Sequence, residues 1–197
     1  HVGSNNADGV DINKLKDKNG IPLDGVPFHP YYTVHDMVGI VVFFIIFFAV
    51  VFFFPEGGGF FLEKPNFEVA NSLKTPPHIA PVWYYTPFYA ILRAVPDKLG
   101  GVIAMGGAIA MLFLLPWLDR SPVKSIRYKG ILSKIALGIF VVSFLVLGYL
   151  GVAPATPVNT ILGRIFTILY FLYFLLMPIY TSIETCKQPP ERVTGGH

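Results

Sequence analysis

One cysteine, Cys186, is all the thiol the chain has, which excludes an internal disulfide and any multi-thiolate metal site built by this chain alone. Near the end of a helix it reads as an incidental thiol rather than a reactive one. Charge is scarce as well: Asp, Glu, Lys and Arg make up 14% of the residues, with a net excess of +3. That mild basicity sits in short loops between apolar runs, so it bears on membrane orientation and makes no case for nucleic acid. The central parts of the apolar runs hold no Asp, Glu, Lys or His, so a proton wire or ion path through them lacks its usual residues. No two histidines are spaced along those runs as axial ligands of a buried haem, which leaves any haem to residues outside this chain. An initiator methionine and a signal-peptide pattern are missing at His1, so the chain reads as a piece of a longer one or a processed product.

What remains is mostly apolar, 53% of residues with 18 Phe, the composition of an integral membrane protein. Four windows are long enough to cross a hydrocarbon core of about 30 Å as helices. They run over residues 37–54, 99–118, 132–152 and 161–181. The first, VGIVVFFIIFFAVVFFF, is rich in β-branched and aromatic residues, but its length and the need for internally satisfied backbone groups favour a helix over a strand. In the second, Gly101, Ala104, Gly106, Gly107 and Ala108 allow close approach of another helix. The fold class is therefore all-α, four transmembrane helices with a long loop, residues 55–98, that carries a short amphipathic helix.

Loop charge orients the spans. Between the second and third stand Arg120, Lys124, Arg127, Lys129 and Lys134 against Asp119, whereas VAPATPVNT between the third and fourth has no charge. The positive-inside rule puts the first of these loops on the negative, cytoplasmic side. Both termini then lie inside, with residues 1–36 and the tail 183–197 on the negative side and the 55–98 loop outside. A bacterial inner membrane suits that reading.

Each face carries one polar or aromatic cluster. On the negative side, GSNNADG is a turn former and VPFHPYYTVHDM enters the first span. Asp36 at the span's start reads first as a helix cap, and it also suits proton exchange with an interfacial ligand. His35 and His29 read as surface residues or hydrogen-bond partners whose pKa also suits proton donation near neutrality. On the positive side, TPPHIAPVWYYTPFYAILRAVP is stiffened by five prolines. A helix beginning near Pro81 sets Trp83, Pro87 and Ala90 on neighbouring turns and pairs Tyr85 with Tyr89 at i, i+4. Such a wall suits a flat amphiphilic ring arriving from lipid. An aromatic membrane-interface belt accounts for the same residues and is the stronger reading of composition alone.

The pattern PPHIAPVWYYTPFYAILRAVPDKLGG resembles the segment around the Pro-Glu-Trp-Tyr motif of the cytochrome b family of ubiquinol–cytochrome c reductase (bc1) complexes. GSNNADG followed by PFHPYYTVHD resembles the start of that family's C-terminal half, and the similarity covers essentially the whole chain. The resemblance implies bifurcated ubiquinol oxidation on the positive side and quinone reduction on the negative side, coupled to proton translocation and electron transfer to cytochrome c. Implied cofactors are ubiquinone or ubiquinol and two b-type haems, the latter ligated in the N-terminal half. Implied partners are that haem-bearing half, a Rieske iron–sulfur protein, cytochrome c1, membrane lipid and a second copy in a homodimeric complex.

Position by position, Pro81, Val82, Trp83 and Tyr84 match the quinol-oxidation motif and Tyr89 the tyrosine that follows it. Ser4, Asn5, Phe28, Tyr32 and Asp36 match the quinone-reduction pocket, and His35 stands where many relatives have lysine. The resemblance thus makes Asp36 and His35 the candidates for proton exchange and reverses the preference for a pure cap at Asp36. Two departures stand out. Val82 replaces the motif's glutamate and cannot accept a quinol proton, leaving Glu63, Glu68, Asp97 or water. The family's histidine stands three residues before the Gly of GSNN, whereas His1 stands two before Gly3, so it falls either at His1 or just upstream. The alternatives are a naturally split protein like subunit IV of cytochrome b6f complexes, and a non-catalytic membrane scaffold or transporter subunit.

Overall fold

The computed structural model describes residues 6–59, 61–62, 64–74 and 79–193. They form helices and turns with no β-strand among them, and divide into two units, residues 15–79 and residues 1–14 with 80–197.

In the smaller unit a turn is built on Asp17, whose Oδ1 accepts from the backbone N–H groups of Asn19 and Ile21, both at 2.8 Å. Helix α1 runs Thr33–Phe53 and is entered through a π-helical turn, Phe28–Tyr32. Phenylalanines four apart stack along it, Phe43 on Phe47, Phe44 on Phe48 and Phe48 on Phe52, as helical spacing requires. The helix starts earlier than residue 37 because the backbone already turns helically through Tyr31 and Tyr32; together the turn and α1 form a 26-residue apolar stretch, Phe28–Phe53.

The larger unit packs a short helix, α2 (Thr86–Ala94), among three long ones: α3 (Lys98–Leu118), α4 (Ile131–Val152) and α5 (Pro157–Leu175). With Phe28–Phe53, these three make four helices long and apolar enough to cross a membrane. The chain is an integral membrane protein by that composition and length.

Helix termini follow their sequence signals. Asp97 caps α3, its Oδ2 accepting from Gly100 N–H at 2.6 Å, and Thr156 caps α5 through Asn159 N–H, with Pro157 in the first turn. The fourth span is not one helix to residue 181. Pro178 can neither donate to the Phe174 carbonyl nor pass it without a clash, so α5 stops at Leu175 and a further helix, α6 (Met177–Ile183), follows.

Ile91, Ala108, Leu147, Tyr170 and Phe174, one or two from each helix α2–α5, form the buried centre. Phe140 joins it by stacking on Tyr173 at 4.4 Å and meeting Tyr170 at 5.3 Å. Tyr170, buried in apolar surroundings, satisfies its hydroxyl by donating to the Ala108 carbonyl at 2.9 Å. Most of the remaining span surface is apolar and exposed, including Ile103, Phe113 and Leu145, which suits contact with lipid or other protein.

Candidate quinone-site elements

The element expected on the positive side lies within the larger unit. Val82 is extended, with φ −53° and ψ 147°, and the helix expected from Pro81 does not form there. A continuous helix would place Pro87 in its interior, against the carbonyl of Trp83. Instead a 3₁₀ turn covers Trp83–Tyr85 and α2 starts at Thr86, with Pro87 in its first turn. The Thr86 hydroxyl joins the two pieces by donating to the Trp83 carbonyl at 2.7 Å.

Helix α2 buries Thr86, Pro87, Ala90, Ile91 and Ala94. Glycine makes the burial possible at two places: a Cβ on Gly151 would collide with the Thr86 carbonyl, and one on Gly101 would lie 2.6 Å from the Leu92 carbonyl oxygen. Of the small residues expected to pack in the second span, Gly101 and Ala108 are buried, whereas a Cβ on Gly106 would meet nothing within 4 Å.

Two arginines fix the far end of α2. Arg93 donates to the carbonyls of Gly151 and Ala153 at 3.2–3.3 Å, where the positive charge complements the C-terminus of α4. Arg164 donates from Nε to the Ala94 carbonyl at 3.0 Å, tying α2 to α5. The Arg93 guanidinium also lies 5.4 Å from the centre of the Tyr89 ring, a cation–π distance. In the sequence Arg93 stands as a lone cation in its proline-rich stretch and Arg164 alone in the fourth span; an isolated arginine beside a helix end was the available signal for both contacts.

The expected Tyr85–Tyr89 pairing is replaced by separate engagements. Tyr85 donates to Met105 Sδ at 3.7 Å and packs against Phe88, while Tyr89 lies under Arg93. Val82, Trp83 and Tyr84 remain exposed at 55–64%, with Trp83 and Tyr84 meeting edge to face at 5.6 Å, and Pro81 is partly buried. The outcome is an aromatic edge on a firmly seated helix. Of the carboxylates considered for Val82's missing function, Asp97 is engaged as a helix cap, Glu68 belongs to the smaller unit, and Glu63 lies outside the described residues.

The candidates expected on the negative side fall in both units. Within the smaller one, Phe28 stacks on Tyr32 at 6.1 Å and Tyr32 meets His35 at 6.2 Å, so these three share one side of the entry to α1. His29 Nδ1 lies 3.3 Å from the Thr33 hydroxyl. Asp36 is in the first turn of α1, but the N-cap position belongs to Tyr32 and carries no side-chain cap bond. The capping reading of Asp36 is therefore corrected: the helix begins three residues before it.

Ser4 and Asn5 lie outside the described residues. Their neighbours fold as a turn, with Asn6 exchanging two hydrogen bonds with Val10 at 2.7 and 3.0 Å. Asp8 is 3% exposed and accepts from the Tyr128 hydroxyl at 2.8 Å, with Arg127 at 3.5 Å. Ser125 donates to the Ala7 carbonyl at 2.6 Å, and Gly9, at φ +69°, turns the chain where a Cβ would press on Ser125 N. This fastening of residues 6–9 to the α3–α4 loop was not expected. A buried carboxylate needs donors, and the loop's Arg-Tyr pair supplies them.

Among the described residues the histidines are His29 and His35, both at the entry to α1 rather than along its length, so they do not fit a haem as paired axial ligands. The side chains brought together suit instead the binding of a flat ring with polar substituents.

Comparison with known proteins gives this arrangement a family. The family described as cytochrome b (C-terminal)/b6/petD matches residues 69–171. Cytochrome b of Allochromatium vinosum is 60% identical over 99% of this chain and 49% of its own length, and cytochrome b of Rhodospirillum rubrum is 46% identical over 98% and 45%. The chain thus spans about half the length of these relatives. A solved chain titled hyperthermophilic respiratory complex III superposes with a TM-score of 0.78 at 40% identity, over 92% of this chain and 44% of that one.

Proposed function

This chain belongs to the C-terminal cytochrome b family, and on that premise we propose that it forms part of the walls of two quinone sites in a ubiquinol–cytochrome c oxidoreductase. The observation that carries the reading is the α2 shelf, whose inner face is locked by Gly151, Arg93 and Arg164 while Val82, Trp83 and Tyr84 stay exposed. A rigid aromatic edge is what a ring-binding wall requires, because the entropy of ordering it has been met before the ligand arrives.

In the proposed cycle, quinol binds at the edge formed by Pro81, Val82, Trp83, Tyr84 and Tyr89. Its oxidation releases two protons to the positive side, and its two electrons leave this chain for partner subunits and for the half of cytochrome b that the chain does not span. On the negative side Phe28, Tyr32, His35 and Asp36 contribute to a second pocket, where quinone takes up two electrons and two protons. Asp36 and His35 hold the groups that exchange those protons. The separation of release and uptake translocates charge without a proton path through the spans.

Three features support placing both termini and the 119–130 loop on the negative side. That loop carries the basic residues, residues 6–9 are fastened to it, and Lys187 N–H of the tail donates to the Tyr128 carbonyl at 2.8 Å. The corresponding division is 1–36 and 183–197 on the negative side, with 55–98 as the positive-side loop, in a bacterial inner membrane. A Rieske protein, cytochrome c1 and a homodimeric complex are the proposed partners, and ubiquinol the proposed substrate. The similar proteins named cytochrome b or cytochrome b/c1 favour this reading over a b6f subunit IV-like one.

The test is quinol-dependent cytochrome c reduction by the assembled complex carrying Tyr89→Ala or Asp36→Asn, at matched haem content. Turnover should fall in both. A scaffold subunit would leave it unchanged.

A further inference from the structure

At the basic end of the larger unit, α3, α4, α5–α6 and the 119–130 loop enclose a cavity of about 610 Å³. It is separate from the α2 shelf and shares no lining residue with it. One wall is apolar, with Leu115, Leu137 and Met177 from the helices; the other is polar, with Asp119, Lys124 and Lys129.

The charges on the polar wall are not balanced. Lys129, whose side chain is only 11% exposed, pairs with Asp119. Lys124 is exposed and takes part in no ion pair among the described residues, so the lining carries a net charge of one cation. Beside the lining, Glu184 accepts from the N–H and hydroxyl of Ser133 and adds one anion, while Arg120 and Lys134, adjacent in sequence to lining residues, add two cations, and Arg127 is turned toward Asp8. An anion is therefore favoured at this mouth.

We propose that this cavity is a binding site for one anionic phospholipid. The phosphodiester lies beside Lys124 and Lys129, and the first acyl methylenes fill the wall of Leu115, Leu137 and Met177. A free inorganic phosphate would satisfy the cations and leave that wall wet, while a zwitterionic lipid would fill the wall and bring its own cation to Lys124. Only an amphiphile with net negative charge satisfies both walls. A basic pocket between membrane helices on the cytoplasmic side is the arrangement that recognises such headgroups. The inference rests on the chain's membrane character and not on its quinone chemistry.

The experiment uses the intact complex purified in a neutral detergent. Retained phospholipid is counted by native mass spectrometry, and dioleoylphosphatidylglycerol is titrated back against dioleoylphosphatidylcholine, with inorganic phosphate as competitor. Wild type should retain one more phosphatidylglycerol per copy of the chain than Lys124→Glu. Lys124→Gln should weaken its binding about fivefold, from the strength of one basic residue at an anionic lipid surface. Lys124→Arg should preserve binding, and Leu137→Trp should weaken it with every charge intact. Lys124 is exposed, so its variants leave the packed helices untouched; unchanged haem content and thermal stability verify this. Equal retention in wild type and Lys124→Glu, equal affinity for phosphatidylcholine, or displacement by inorganic phosphate at the concentration of lipid would overturn the assignment. Loss of quinol turnover with lipid retention intact would count against the quinone reading alone.

Discussion

Arg93 places its guanidinium 5.4 Å from the Tyr89 ring centre while donating to the carbonyl oxygens of Gly151 and Ala153, so one cation links a candidate ligand-facing ring to the end of a membrane helix. The ring's position therefore depends on the seating of α2. Arg93→Gln removes the charge at both places and should cost about 1.5–3 kcal/mol, the range for hydrogen bonds to charged groups. A lowered thermal midpoint of the complex, with KM for quinol rising more than kcat falls, is the expected pair of results. Arg93→Lys keeps charge without the planar fork and should fall between.

Gly151 and Gly148 stand three residues apart on α4 and predict opposite outcomes. A Cβ at Gly151 would run into the Thr86 carbonyl, whereas one at Gly148 would meet Pro87 Cγ at 3.6 Å, ordinary contact. Gly151→Ala should therefore displace α2, at about 1–3 kcal/mol for overpacking, and Gly148→Ala should be close to neutral. Assembly yield and thermal stability of the two complexes check the contrast.

Asp97 offers a way to separate a capping role from a proton-accepting one. Its Oδ2 accepts from Gly100 N–H, so Asp97→Ala should lose about 1 kcal/mol of helix stability, and Asp97→Asn, which retains an acceptor, should lose little. The pH dependence of quinol turnover should be the same in Asp97→Asn as in wild type. A displaced acidic limb in that variant would instead make Asp97 the proton acceptor that Val82 cannot be.

Asp8 should matter to the seating of residues 6–9 on the α3–α4 loop without touching a ligand. Asp8→Ala removes the acceptor of the Tyr128 hydroxyl and leaves the Ser125–Ala7 hydrogen bond in place between residues 6–9 and the α3–α4 loop, a loss of about 1–3 kcal/mol. Tyr128→Phe should cost a similar amount, and the double variant should cost less than the sum, since both changes break one contact. Stability measurements on the four complexes close the cycle.

The four apolar helices, the stop after α1 and the small-residue contact at Gly101 were legible in the sequence because length, hydropathy and side-chain size act locally. At the approach to α1, Phe28 and Tyr32 were singled out only through the family resemblance, and their stacking with each other and contact with His35 came from the structure. Helix starts were read less well. Pro87 had been counted within a helix from Pro81, although its ring fits only a first turn, and α1 begins ahead of Asp36 because aromatic residues rather than a polar cap lead into it. The Arg164–Ala94 and Asp8–Tyr128 contacts join positions 70 and 120 residues apart, which no local pattern reports.

The central claim, two quinone sites on opposite faces, is tested most directly by following the two half-reactions separately after a single turnover in membrane vesicles. With each half-reaction started independently, quinone reduction from the pre-reduced complex and quinol oxidation from the oxidised one, Tyr89→Ala should slow quinol oxidation by about tenfold, equivalent to about 1.4 kcal/mol of barrier, and leave quinone reduction at its normal rate. Asp36→Asn should do the reverse, with proton uptake from the negative side slowed in step. If either substitution slowed both half-reactions equally, or neither, at unchanged haem content, the assignment of separate sites to these two residues would be contradicted.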